Sequence, residues 1–287
     1  MGSMKSVSNH SLFSMCIICD QSFSIDATEL NCSGCPLLTA IPPELTNLGF
    51  LDCSHCPNLT IIPPTLIGLE ELNCNDCPNL TIIPPKMPEL THLVCSGCPL
   101  LTTIPPELPD LEVLECAGCL LLTVIPPTFK ELTVLECSRC PLLTFIPKEL
   151  TGLQELYCSG CPLITVIPPT LTVLTGLECF GCPLITAIPP TLTWLAEINC
   201  SGCPISFIPP TFTDLDRIIS TYPYLFLTEY QQSVNRTRGP EYIPRPLNVL
   251  QAHMRLVRTF NKECHLWILH KYTFLPTDLI NIIVSYL

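Results

Sequence analysis

Charge is scarce in this chain. Lys, Arg, Asp and Glu make up 13% of its 287 residues, about half the share of an ordinary soluble domain. The shortage is greatest in cations: 13 Lys and Arg stand against 25 Asp and Glu, a formal net charge of −12. A chain so poor in basic residues does not offer the continuous positive surface that phosphate backbones require, which argues against nucleic acid as a partner. Long apolar runs are also missing. No stretch of about 18 apolar residues occurs, so no membrane span is expected. The segment from Met1 to Cys19 lacks a charged region, a clean apolar run and a small-residue cleavage site, so a secretory signal is not expected either. Gly2 and Ser6 fit a myristoylation pattern, but Met-Gly-Ser ahead of Met4 reads more simply as an expression remnant.

Proline and cysteine are abundant, at 32 and 21 residues, and their placement is regular. Cysteines fall at 32, 53, 74, 95, 116, 137, 158, 179 and 200, a constant step of 21, and each is followed three residues later by a second. One unit represents them all: Leu69-Glu-Glu-Leu72-Asn-Cys74-Asn-Asp-Cys77-Pro-Asn-Leu80-Thr-Ile-Ile83-Pro-Pro-Lys-Met87. Apolar and polar residues alternate around Leu72 and Cys74, as a half-buried strand requires. Cys-x-x-Cys-Pro then turns the chain. Ile83-Pro84-Pro85 fixes φ and removes two donors, so the return leg should be extended, polyproline-like or a short 3₁₀ turn. A unit of this length cannot bury its own apolar side, and repetition therefore predicts a stacked solenoid. Nine or ten strands at 4.7–4.9 Å spacing would span roughly 45 Å.

The pattern Leu-x-x-Leu-x-Cys-x-x-Cys-x-x-Leu-x-x-Ile-Pro resembles the leucine-rich repeat over about residues 16–219. Cys74 takes the third apolar position and Cys77 the Asn/Cys position. The short return with Ile-Pro resembles compact repeats of bacterial effectors. The Cys-Pro-rich form is similar to repeat proteins predicted for giant DNA viruses. The resemblance implies a stack of short parallel strands with a helix-poor convex side.

Four regions are expected. Residues 1–30 hold an N-terminal segment and a shortened capping unit, in which Cys16-Ile-Ile-Cys19 keeps the cysteine spacing. Residues 30–219 hold nine repeats, the last unit losing one residue after Pro204. Residues 220–244 read as a linker. Residues 245–287 read as a helical cap, with Leu247, Leu250, Met254, Val257, Cys264 and Ile268 at helical spacing. Charge divides along the same line: residues 1–219 carry 6 basic and 21 acidic residues, residues 220–287 carry 7 and 4.

Cys-x-x-Cys pairs raise the question of zinc or redox chemistry. Nine identical pairs at interior positions favour buried structural thiols over metal ligands or disulfides. No metal or cofactor is expected, and many free thiols imply a reducing, cytoplasmic setting, that of a host cell if the protein is viral.

Residues between buried strand positions should face the concave side. There Phe50, Asp52, Glu71, Asn73, His92, Glu115, Glu136, Tyr157, Glu178 and Phe180 form an acidic stripe with a few aromatics. That stripe suits a protein partner with a basic surface; it is equally what a solvated face that prevents sheet association would carry. No pair of carboxylates is set apart by its surroundings, and no catalytic constellation is present, so an enzyme is not expected.

The end of the chain, Phe274-Leu-Pro-Thr-Asp-Leu-Ile-Asn-Ile-Ile-Val-Ser-Tyr-Leu287, resembles the opening of an F-box through Leu275, Pro276, Asp278, Leu279, Ile283, Tyr286 and Leu287. The resemblance implies docking on a ubiquitin-ligase adaptor, although the chain stops long before the usual three helices. The residues thus leave three readings: a non-enzymatic scaffold that binds protein, a ligase substrate adaptor, and a structural or virion component. As an assembly the chain is expected to be a monomer or an end-to-end homodimer.

Overall fold

The computed structural model describes residues 16–205 and part of the stretch 208–219. Ten strands of three residues follow one another: β1 (Glu29–Asn31), β2 (Phe50–Asp52), β3 (Glu71–Asn73), β4 (His92–Val94), β5 (Val113–Glu115), β6 (Val134–Glu136), β7 (Glu155–Tyr157), β8 (Gly176–Glu178), β9 (Glu197–Asn199) and β10 (Arg217–Ile219). They form a single parallel sheet in chain order. From Leu30↔Leu51 to Leu177↔Ile198 each residue pairs with the one 21 places on, whereas Ile198 pairs with Ile218. The residue missing after Pro204 is therefore absorbed in the last return leg, and the register survives. No helix occurs among the described residues. The expected C-terminal helical cap and F-box-like end lie outside them.

The interior repeats as faithfully as the sequence. In the second unit Leu51, Cys53, Cys56, Leu59, Ile62, Leu66 and Leu69 are all buried. Burial of each Leu or Ile is worth about 1.5–3 kcal/mol against exposure, and stacking alone supplies it. The leucines at 48, 69, 90, 111, 132, 153, 174 and 195 form a fully enclosed row, and both rows of cysteines are buried with them. The return leg runs without regular structure through Ile-Pro-Pro and closes with isolated turns, such as Leu45 N–H to the Pro42 carbonyl and Leu48 N–H to the Leu45 carbonyl, both 3.4 Å. Proline cannot donate, so side chains knit this side together. Asn58 and Asn79 amides reach the Pro36 and Pro57 carbonyls at 2.6 and 2.7 Å, and Thr65 and Thr128 hydroxyls reach Pro43 and Pro106 at 2.7 Å.

The residue before each second cysteine adopts positive φ. Glycine fills it at 34, 97, 118, 160, 181 and 202, while His55, Asp76 and Arg139 accept it at 55°, 51° and 58°. Left-handed backbone costs a side-chain-bearing residue about 1–2 kcal/mol, which explains why glycine dominates the site.

That turn creates the central problem of the fold. In a parallel ladder the N–H of Ser54 would bond the carbonyl of Cys32, continuing the bond from Cys32 N–H to the Asp52 carbonyl. Instead Ser54 N–H turns to Asp52 Oδ1 at 3.0 Å. The vacated carbonyl is met by the thiol of Cys56 at 3.2 Å. The same bond recurs from Cys77 to Cys53, Cys98 to Cys74, Cys119 to Cys95, Cys140 to Cys116, Cys161 to Cys137, Cys182 to Cys158 and Cys203 to Cys179, at 2.9–3.3 Å. The second cysteine is thus a donor placed where the backbone has none. Burial pushes the thiol of Cys56 up to about 11 and that of Cys77 to about 12, so both stay protonated and able to donate at neutral pH.

The two cysteine rows should therefore differ on truncation. Cys95→Ala removes a buried sulfur, whereas Cys98→Ala also orphans the Cys74 carbonyl. We expect Cys98→Ala to lose about 1 kcal/mol more in urea unfolding than Cys95→Ala; equal losses would show that the thiol bond contributes nothing.

Candidate protein-binding face

Each of β1–β9 buries its central residue and sets the first and third on the open side of the sheet, where Gly176 is the one buried position. Register aligns them into two rows. The third positions run Asn31, Asp52, Asn73, Val94, Glu115, Glu136, Tyr157, Glu178, Asn199; the first run Glu29, Phe50, Glu71, His92, Val113, Val134, Glu155, Gly176, Glu197. Across β1–β9 neither row contains Lys or Arg; β10 then continues the first row with Arg217, in register with Glu197. The structure thus brings Phe50, Asp52, Glu71, Asn73, His92, Glu115, Glu136, Tyr157 and Glu178 onto one face. Phe180 lies past the end of β8, in a turn row held mostly by serines such as Ser138 and Ser159. Leu275, Pro276, Leu279, Ile283 and Tyr286 are outside the described residues.

Hydrogen bonding divides the third-position row into two kinds of residue. Asn31, Asp52, Asn73 and Asn199 each accept the backbone N–H two residues on, at 3.0–3.3 Å. Their oxygens are occupied in shaping the turn. In the middle of the stack serines of the preceding unit take over: Ser96, Ser138 and Ser159 hydroxyls accept from Ala117, Ser159 and Phe180 N–H at 2.9–3.1 Å. Glu115, Tyr157 and Glu178 are thereby released from turn duty. Glu136 is intermediate, since its Oε1 accepts from Ser138 N–H at 2.9 Å.

Next to these residues the sheet carries a pocket of about 420 Å³ lined by Glu155, Tyr157, Gly176, Glu178, Glu197 and Asn199, with Thr175, Leu177, Ala196 and Ile198. Its cause is Gly176, which leaves a gap in the first-position row. Glu155 leans into that gap: its Oε1 accepts from Thr175 Oγ1 at 3.1 Å and its Oε2 from the Tyr157 hydroxyl at 3.4 Å. A Cβ at Gly176 would overlap the Glu155 carboxylate. The result is a recess with three carboxylates on its rim and an aromatic wall. Burial and the Glu155 charge raise the Tyr157 phenol above its ordinary range. Burial raises Glu136 too, with the Glu115 and Glu178 charges adding to it and the Ser138 donors opposing.

Sequence reading singled out the carboxylates but not the Gly176 gap, nor Val113 and Val134, which pair at the centre of the face. It also passed over an exposed apolar stripe on the return side, formed by Ile61, Ile82, Val124, Phe145 and Val166. The repeat spacing carries that stripe, because all five precede the Ile of Ile-Pro. Away from the face the structure gathers the thiols of Cys16, Cys19 and Cys35, all within 4.8 Å of one another.

Comparison with known proteins agrees with this geometry. Residues 27–48, 89–111 and 152–174 match the family model described as Leucine Rich Repeat. The chain thus contains leucine-rich repeats, set in units of 21 residues with a ladder of cysteines inside the stack. Domains of this kind are usually non-catalytic and generally act as scaffolds for protein binding.

Among solved structures it is similar to the functional domain of InlJ from Listeria monocytogenes, described as including a cysteine ladder, at 22% identity over 67% of this chain and 53% of that one, with a TM-score of 0.46. It is similar to the leucine-rich repeat domain of the type III effector XCV3220 (XopL), at 19% identity over 69% and 77% of the two chains, TM-score 0.48. It is also similar to the Arabidopsis receptor kinase HAESA, solved with the peptide hormone IDA and the co-receptor SERK1, at 24% identity over 66% and 32%, TM-score 0.42. The chain thus spans about half of the InlJ domain and about a third of the receptor. A search of curated proteins gives no significant match.

The raised pKa of Glu136 has a definite sign. A carboxyl that binds its proton more tightly folded than unfolded weakens the fold as pH rises through its window. Glu136→Gln, which keeps an oxygen for Ser138, should therefore raise the melting temperature at neutral pH, with the gain vanishing below the ordinary carboxylate range. A gain that is the same at all pH values would contradict this.

Proposed function

We propose that the chain is a non-enzymatic scaffold that binds a partner protein along its open sheet face, and that the partner presents a basic segment. The recess at Gly176 carries the reading. Solvation alone would explain exposed carboxylates, but not a cavity where Glu155 is held in place by Thr175 and Tyr157 beside Glu178 and Glu197. A Lys or Arg side chain fits such a recess: the aromatic wall covers its stem and the carboxylates receive its head. The acidic rows of β1–β9, which hold no Lys or Arg, steer positive segments toward the sheet. Serines that release Glu115, Tyr157 and Glu178 from turn duty leave them available for contact. A cytoplasmic setting suits the many buried thiols.

A short Lys- and Arg-rich peptide series tests the reading directly. Affinity should fall with salt and should drop by about tenfold or more in Glu115→Lys/Glu155→Lys/Glu178→Lys protein of unchanged melting temperature, each lost charge contact being worth about 1 kcal/mol or more. Binding that survives the triple substitution places the interface elsewhere.

The F-box-like sequence at Leu275, Pro276, Leu279, Ile283 and Tyr286 favours a second role, as a ligase substrate adaptor. On that reading, affinity capture with the intact chain recovers ligase subunits and capture after deletion of residues 275–287 does not. Equal recovery from both forms rejects it.

A further inference from the structure

The N-terminal cap brings together two Cys-x-x-Cys pairs that the repeat pattern treats as equivalent but the structure does not. From Cys56 onward, each second cysteine gives its thiol to the carbonyl of a first cysteine one turn back. Cys35 is the second cysteine of the first full unit, and its thiol meets other thiols instead. Its Sγ lies 3.5 Å from Cys19 Sγ, and Cys19 Sγ lies 3.7 Å from Cys16 Sγ. The cause lies in the sequence. The capping unit is too short to place a cysteine carbonyl where the ladder needs one, so Cys16 and Cys19 arrive at the mouth of the stack with their sulfurs turned toward Cys35.

We propose that Cys16, Cys19 and Cys35 form a zinc site that closes the N-terminal end of the solenoid. The distances suit it. Thiolates bound tetrahedrally at about 2.3 Å lie about 3.8 Å apart, whereas bonded sulfurs lie at about 2.05 Å. The ladder thiols, by contrast, are spread two per unit along the stack, and among the described residues no other group of three or more Cys, His, Asp or Glu converges in this way. Access is available too: Cys16 and Cys19 are partly exposed while Cys35 is buried. The three thiols release their protons to solvent as their sulfurs bind the ion, and water takes the fourth corner.

The position gives the ion a task. Residues 16–28 have no regular secondary structure, and only Cys16, Ile18, Cys19, Phe23 and Ala27 pack partly against the core. A terminal unit must cover the apolar end of a stack, and a metal clip fixes a short segment that cannot bury enough surface to hold itself.

The test uses the full chain, reduced and freed of metal, titrated with cobalt(II) and then zinc. The expected result is one equivalent of cobalt, seen by the visible bands of a tetrahedral thiolate complex, displaced by one equivalent of zinc, with the melting temperature raised by either ion. Cys16→Ser/Cys19→Ser protein should keep the circular dichroism of the parent, lose the cobalt bands and lose the metal-dependent shift. A Cys264→Ser control should behave as the parent. The proposal is overturned if the intact chain gives no tetrahedral cobalt spectrum, if the double variant binds as the parent does, or if several equivalents bind, which would place metal in the ladder.

Discussion

One unmet hydrogen bond per unit governs this stack. Where each strand ends, the next N–H of the ladder is diverted to a side chain, and a buried carbonyl is left without a backbone donor. An orphaned group of that kind costs about 1–3 kcal/mol, and the stack would incur it at every turn. From Cys56 onward the second cysteine of each pair answers it, with a side chain short enough to fit the turn and apolar enough to lie among leucines. Positive φ just before that cysteine aims the thiol back along the stack, so glycine, turn and sulfur act as one device. Cysteine is not a substitute for leucine at this position; it does something leucine cannot.

Much of this was legible in the sequence because a repeat displays its interior directly. Leu72, Cys74 and Ile83 recur where packing forbids change, and the strands, their parallel order and the burial of both cysteine rows follow. The return leg was legible in outline: proline pointed to a helix-free path, but whether it would coil or wind could not be read from Ile-Pro-Pro, since single turns and a 3₁₀ helix share the same local signal. The thiol bonds were hidden for a different reason. They join residues 24 apart across units, and alternation within one unit carries no trace of them.

The binding face was half legible. Variation at the third strand position marked Asp52, Glu115 and Glu178 alike, yet the first shapes a turn and the others do not. That distinction depends on whether a serine in the preceding unit has taken the N–H, a relation between two rows. The Gly176 recess was invisible for a similar reason: a missing side chain becomes a cavity only when its neighbours are known.

Every contact described between units reaches only the adjoining one, and the register holds at 21 residues from β1 to β9. A unit can therefore be duplicated or excised within the run with new contacts arising only at the junction. Copy number is free to drift, and with it the length of the face and the spacing of its acidic groups, while the N-terminal cap with Cys16 and Cys19 stands apart from the repeat. A gene of this design can remake its exposed face by recombination alone.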